Sequence, residues 1–520
     1  MVFRKYDGRF DLRYTSNHFY FRYHPIQKLI LEIQFKQYCN IAKYVNSPLL
    51  LHMPTRYLTR DSALCFFLKC IDIGKLTENI ANIWATKTNQ SSKYQMIARL
   101  IGNLMNIVHR LKLVSFLQFF IWGSWLVTFA SYLFDKLHFK GTDVGLIFSA
   151  LGLASLIAPV IMGFIADKIN NRKLVFITLH ILSAFALVLM SQMTTVTTLF
   201  FATLLHLLFF MPSISMANSI IFELLEQKHL EPNDYFPKIR VYGTVGFIAA
   251  MWVISFLGFG NSYDQLFVAA IASIILAVFA MFLPATKATD KTEAKEEVAA
   301  FSLSNTLQVF KKKNVVIFLF FATLLGSVLQ ITNTFGVPFL QDMAKAPNAD
   351  DSFLAHYPSV FLSISQISEV VFILFLPLLL KRVRIETIVL FSMIAWILRF
   401  GFFAYGDYSS LGQIVLLLSM IVYGCAFDFF NISGSLFLEK EIPLQYRSTA
   451  QGMFMTLVNG FGTYLGAMLS GWVIDLYTTD GVIDWQSFWL IFTGYTVAIT
   501  ALYLIYLVVP QKKTKVVEAH

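Results

Sequence analysis

Twelve runs of about 20 mainly apolar residues follow one another between Leu111 and Val509, each closed by a polar break. A helix of that length crosses the roughly 30 Å of bilayer hydrocarbon, and within lipid only a helix or a closed barrel satisfies all of its own backbone polar groups. The expected fold class is an all-α membrane protein of twelve transmembrane helices. Its expected spans are 111–133, 144–166, 174–194, 197–220, 238–258, 264–283, 315–340, 357–380, 386–405, 411–434, 449–474 and 486–509. The chain is 57% hydrophobic and only 14% charged, with 52 Phe, whereas a soluble surface needs roughly 25% charged residues. A string of soluble domains is excluded, and lipid is the expected surrounding for most of the chain.

Before residue 110 no apolar stretch is long enough to span, and no signal peptide opens the chain. The longest polar gap, 284–314, divides the spans into six and six. The expected domains are an N-terminal extension 1–104, a six-helix bundle 105–283, a cytoplasmic linker 284–314, a second six-helix bundle 315–510 and a cytoplasmic tail 511–520. Loops after even-numbered spans and the tail, with Lys238 at the edge of span five, hold nineteen Lys and Arg, while loops after odd-numbered spans hold only Lys136, Lys140 and Lys345. Basic residues collect on the cytoplasmic side, so both termini are expected there. Four cysteines, Cys39, Cys65, Cys70 and Cys425, form no paired cluster, and neither a metal site nor a disulfide framework follows.

Ionisable groups at membrane depth cost at least about 2.5 kcal/mol each, which makes every one of them a functional candidate. The spans hold Arg240, Glu369, Arg399 and Asp428. On span seven Gln330 and Asn333 are three apart, with Ser327 a turn earlier, so they share one helical face. Span eight repeats the device with Gln366 and Glu369, preceded by Ser363. Both pairs fall near mid-span, where alternating-access transporters hold substrate, and amide and carboxylate groups suit adjacent hydroxyls such as a ribose diol. Interhelical glue is the competing reading. Span five sets Arg240, Thr244 and Phe247 on one stripe, although Arg240 lies near the end of its span, where snorkelling also accounts for it. Tyr423 and Phe427 on span ten are spaced to sandwich a flat ring, or simply to pack.

A carboxyl held away from water favours its neutral form and loads and releases a proton nearer neutral pH. Asp428 and Glu369 are therefore the two candidates for proton coupling, with a structural ion pair as the alternative for Asp428. Arg399, beside Trp396, reads as a snorkelling or helix-pairing residue. Small residues at Gly145 and Ser149, at Gly243 and Gly246, and at Gly462, Gly466 and Ser470 read as helix-packing positions.

The loop from Gly163 to Lys173, with Asp167 and Arg172, has the spacing of the signature loop of the major facilitator superfamily, lacking only its usual second glycine. Opposite charges there can latch a cytoplasmic mouth, so Asp167 and Arg172 are the candidate gate. Residues 381–386 carry no clean copy of it, and internal symmetry rests on span count.

Beyond that loop, the stretches SFLQFFIWGSW from Ser115, FPKIRVYGTVGF from Phe236, LQITNTFG from Leu329, SISQISE from Ser363, AWILRF from Ala395, MIVYGCAFDFFNISGS from Met420 and AQGMF from Ala450 closely resemble the nucleoside:proton symporter family of that superfamily. The resemblance covers about 400 residues in both halves. It implies two rocking six-helix bundles in a bacterial inner membrane, taking up nucleosides such as uridine or adenosine with protons. It implies a substrate site of Arg240, Thr244, Phe247, Gln330, Asn333, Gln366, Glu369, Tyr423 and Phe427, with Asp428 in proton coupling. Residues 1–104 have no counterpart in that family; they read first as upstream sequence joined to the gene, with Met105 as the start, and second as a cytoplasmic domain.

Another hydroxylated solute, such as a sugar, is the alternative cargo. An enzyme is not expected: no HExxH, GxSxG or clustered histidines occur in the spans. No cofactor or metal is called for, and a monomer is expected. The total of 41 Lys and Arg against 31 Asp and Glu does not indicate a nucleic-acid partner, because residues 1–109 hold 15 of the basic and 6 of the acidic residues, or +9, leaving +1 for the other 411.

Overall fold

Short polar side chains set where the helices begin. Asn171, Ser409 and Asp484 each accept a backbone N–H three residues on, at 3.0, 3.0 and 3.1 Å, satisfying donors that a first helical turn leaves free. The Ser487 hydroxyl and N–H bonded to Asp484 hold its carboxyl below the usual range. The computed structural model describes residues 106–168, 171–285, 312–345, 353–443 and 446–508. The expected extension 1–104, linker residues 286–311 and the tail 511–520 lie outside the described residues.

Span two is Gly141–Lys168, span three Arg172–Ser191, span four Val196–Glu226, span five Pro232–Phe256 and span six Asp264–Met281. Span seven is Lys313–Met343, span nine Ile385–Tyr405, span ten Ser410–Glu441 and span twelve Trp485–Tyr503. Eleven helices among the described residues are long and apolar enough to cross a membrane. The remaining span is the first, divided into Ile107–Gly123 and Phe129–Asp135. The twelve-helix, six-plus-six fold expected from hydropathy is therefore the fold observed.

Three spans expected to be continuous are interrupted, and side chains explain why. In span one, Ser124 Oγ donates to the Phe120 carbonyl at 2.7 Å and Thr128 Oγ1 to Gln265 Oε1 on span six at 2.7 Å, competing with the backbone ladder. Span eight consists of Pro358–Leu362 and Ile364–Leu380. At its joint, Ser363 Oγ donates to the Val360 carbonyl at 2.6 Å and accepts from Trp252 Nε1 on span five at 2.8 Å. Span eleven runs Arg447–Met455 and Thr463–Leu476 around a π-helical turn, Thr456–Gly462. The all-α expectation also misses one hairpin, in which Thr478–Thr479 pairs with Val482–Ile483. Asp480 and Gly481 take φ of 51° and 79°, the left-handed pair that a two-residue hairpin turn requires.

Within the first half, span one packs on spans five and six, and span four on spans two and three; in the second, span ten packs on spans eight and nine, and span seven on span eleven. The halves meet along spans two and eleven and along spans five and eight. At the first of these seams the backbones nearly touch: a Cβ on Gly145 would meet the Ala467 carbonyl at 2.4 Å, so the helix-packing reading of Gly145 holds. Lipid-facing positions carry exposed apolar side chains such as Ile271, Leu374 and Phe375.

The face formed by the loops after odd-numbered spans is clasped shut between the halves. Asp475 of span eleven accepts the N–H groups of Gly141 and Thr142, the first turn of span two, at 2.6 and 3.0 Å. Its charge thereby sits on the positive end of that helix's dipole. Lys345 reaches Asp342 at 2.6 Å and Asp135 at 3.6 Å, while Asn261 donates to Asp135 at 2.6 Å and accepts from Gln341 at 2.8 Å. Burial acts to lower the Lys345 ammonium's affinity for its proton, but the two carboxylates outweigh it and raise it above the usual range. A cavity of about 440 Å³ lies among these groups.

At the opposite face the halves repeat one device with the charges reversed. Arg172 at the start of span three lies 3.5 Å from Glu223 near the end of span four. Glu386 at the start of span nine lies 3.3 Å from Lys440 near the end of span ten. Internal symmetry is thus present in space where the sequence shows no repeat.

Candidate functional site

Gly424 brings spans eight and ten into backbone contact. A Cβ there would meet the Ser368 carbonyl at 2.5 Å, Gly424 N–H donates to Ser368 Oγ at 3.3 Å, and Ser368 Oγ donates to the Ile421 carbonyl. This joint sets Gln366 and Glu369 beside Tyr423, Phe427 and Asp428. Gln366 acts on the Tyr423 hydroxyl. The rings of Tyr423 and Phe427 stack at 5.7 Å with 16° between planes, and Trp396 meets Tyr423 edge-on at 5.9 Å.

Arg240 approaches from the other half. Its guanidinium lies 4.0 Å over the Phe119 ring of span one, a cation–π contact, and its charge acts on both Glu369 and Asp428. Gly243 makes room for it, since a Cβ there would sit 2.7 Å from Arg240 Nη1. Arg240 is half-buried and turned inward, so its role goes beyond snorkelling. Asp428 is 4% exposed and its Oδ2 has no hydrogen-bond partner among the described residues. One cation of the first half and two carboxylates of the second therefore form a single electrostatic group across the seam.

The other expected site residues are placed less closely. Gln330 is buried and donates to Thr334 Oγ1 of its own helix at 3.2 Å, and Ser327 pairs with the Tyr495 hydroxyl at 3.0 Å. Asn333 and Thr244 are half-buried and Phe247 is buried. Among the described residues, no hydrogen bond or ion pair joins these four site residues to the Arg240, Glu369 and Asp428 group. Of the candidate gate, Arg172 meets Glu223, and the Asp167 side chain lies outside the described residues.

Sequence reasoning missed Phe119, Trp252 and Glu223, although Phe119 stands inside the SFLQFFIWGSW stretch. It also missed a buried network in the first half. His180 contacts Gln118 Oε1 at 2.9 Å and Ser273 Oγ at 3.0 Å, and Gln118 donates to Ser213 Oγ at 2.9 Å, tying spans three, one, six and four. Of the two readings of Arg399, helix pairing holds and snorkelling does not, since the residue is 1% exposed.

Twelve apolar helices in two facing groups, with an ionisable cluster between them at membrane depth, define a membrane transporter. Residues 105–512 match the family described as nucleoside H+ symporter, and the chain belongs to that family. It is similar to the xanthosine permease of Escherichia coli K12, 48% identical over 399 residues that cover 77% of this chain and 95% of that one. It is also similar to the nucleoside permease NupG of the same organism, 44% identical over 395 residues covering 76% of this chain and 94% of that one. A crystal structure of the nucleoside transporter NupG superposes with a TM-score of 0.73 at 43% identity, covering 77% of this chain and 99% of that one.

Proposed function

We propose that this protein is a proton-coupled nucleoside importer that works by alternating access in a bacterial inner membrane, with both termini in the cytoplasm. The observation that carries the reading is Asp428, buried with an unpartnered Oδ2 and sharing the charge of Arg240 with Glu369. Two ionised carboxylates and one guanidinium sum to −1, an expensive charge to bury. One proton on Asp428 brings the group to zero. Loading a proton thus makes it less costly for the halves to close around the site, and releasing it on the other side resets the cycle.

In this reading Glu369 and Gln366 bind ribose hydroxyls, while Tyr423 and Phe427 offer ring faces to the base. Gln330, Asn333, Arg240, Thr244 and Phe247 complete the site from the facing helices. The clasped face is the outer one, so this state is closed to the periplasm, and Asp167 with Arg172 serves the inner gate. The two bundles are 105–283 and 315–510, joined by 284–314, and each monomer holds one complete site. The names of the related permeases support nucleosides as the cargo class.

The test is uptake of labelled uridine by proteoliposomes with and without an inward proton gradient. Accumulation should require the gradient and be competed by adenosine. Equal uptake after an uncoupler sinks the symport, and uptake of a sugar without uridine uptake turns the assignment to another hydroxylated solute.

A further inference from the structure

Arg399 of span nine is a fully buried cation with no carboxylate in ion-pair reach among the described residues. Its Nη1 donates to the Ser419 carbonyl of span ten at 2.9 Å and to Ser365 Oγ of span eight at 3.2 Å. Ser419 Oγ returns a bond to the Arg399 carbonyl at 3.0 Å. Two neutral acceptors are meagre compensation for a desolvated guanidinium, and its Nε has none. The remaining partner is a ring: the guanidinium carbon lies 4.3 Å from the centroid of Tyr423, closer than the 5.2 Å to Phe403. A desolvated cation–π contact is worth about 2 kcal/mol or more.

Tyr423 is also the ring that stacks on Phe427 and lies in reach of Gln366. We propose that Arg399 is a positioning residue for the substrate site, acting through Tyr423. It fixes the plane of that ring while bracing spans eight and ten on either side. Its positive charge also draws electron density from the phenol, which makes the Tyr423 hydroxyl a stronger donor to a ligand oxygen. A neutral residue of similar bulk would pack the same space at lower desolvation cost, so what Arg399 adds there is its charge. The inference rests on the reading of Tyr423 and Gln366 as substrate contacts.

The test is a double-mutant cycle on the full chain in detergent, with Arg399→Met alone and combined with Tyr423→Leu, which removes the ring, read by equilibrium binding of labelled uridine. Arg399→Met should weaken binding at least tenfold in the native background and less than twofold in the Tyr423→Leu background, with partial recovery in Arg399→Lys. Equal losses in both backgrounds would make Arg399 a structural brace only and overturn the proposal. Where Arg399→Met fails to fold, the Arg399→Lys arm of the same cycle decides, since lysine keeps the charge but not the planar fork. Should the unmodified protein not bind uridine, the nucleoside reading fails by itself. The link to Tyr423 is then read from 3-fluorotyrosine at position 423, whose fluorine shift must move on Arg399→Lys; an unmoved shift overturns it.

Discussion

Gly424 lies flat against Ser368, with only 2.5 Å between the Ser368 carbonyl oxygen and the point where a Cβ on Gly424 would stand. That approach, made possible by the missing side chain, brings the polar face of span eight onto that of span ten. Gly424→Val should force the helices apart, costing about 1–3 kcal/mol as overpacked substitutions do and lowering uptake at least tenfold. Gly401→Ala, on open space, should leave both unchanged. Thermal melting in detergent and initial uptake rates measure the two effects.

Asp428→Asn fixes the buried group at one cation and one anion, the charge state that a proton otherwise creates. Concentrative uptake should be lost while exchange of nucleoside across the membrane survives. Loss of exchange as well would move Asp428 from coupling to binding or folding. Glu369→Gln should instead raise the KM for uridine, checked on the same proteoliposomes.

The clasp of Asp475 on the first turn of span two must release for the outer mouth to open. Asp475→Ala removes two charge-assisted bonds and a favourable dipole interaction, together worth about 1–3 kcal/mol, and so shifts the population toward the outward-open state. A cysteine placed at Ile483, which lines the cavity beside the clasp, should then react several-fold faster with an impermeant maleimide from outside. Unchanged labelling would show that Asp475 does not hold the mouth.

His180→Phe keeps the ring but strips Gln118 Oε1 and Ser273 Oγ of a buried partner. Ser273 Oγ keeps its bond to the residue-180 carbonyl, but Gln118 Oε1 is left unsatisfied at a cost of about 1–3 kcal/mol, so the melting temperature should fall by several degrees. KM should stay close to its native value, because among the described residues no hydrogen bond or ion pair joins the network to Arg240, Glu369 or Asp428. A raised KM with unaltered melting would assign the network to the site instead.

The stripes at Gln366 and Glu369, and at Tyr423 and Phe427, were legible from spacing, because residues three or four apart share a helix face whatever surrounds them. Phe119 was not, since in a chain with 16% aromatics nothing local marks which ring lies under a cation. Nor was the pairing of Glu386 with Lys440, which repeats Arg172 with Glu223 in reversed charge order and so leaves no repeated motif to find. Ser124 and Thr128 were unremarked, and Ser363 was read only as part of a polar face and not as a helix break, for a similar reason, as a hydroxyl breaks a helix only when its neighbours offer it a better bond. The Asp480-Gly481 turn was legible in principle, for its left-handed φ values follow from local chemistry.

Apolar run length decided the number of membrane crossings, and the loop charges favoured one orientation, because transfer into lipid is summed residue by residue along a short segment. Which charges share a field could not be had that way. Arg240 stands 129 positions from Glu369 and 188 from Asp428, and Arg399 meets Tyr423 across two helices. Those relationships exist only once glycine contacts such as Gly424 on Ser368 have drawn the backbones together, since electrostatic and aromatic contacts depend on distances that packing alone sets.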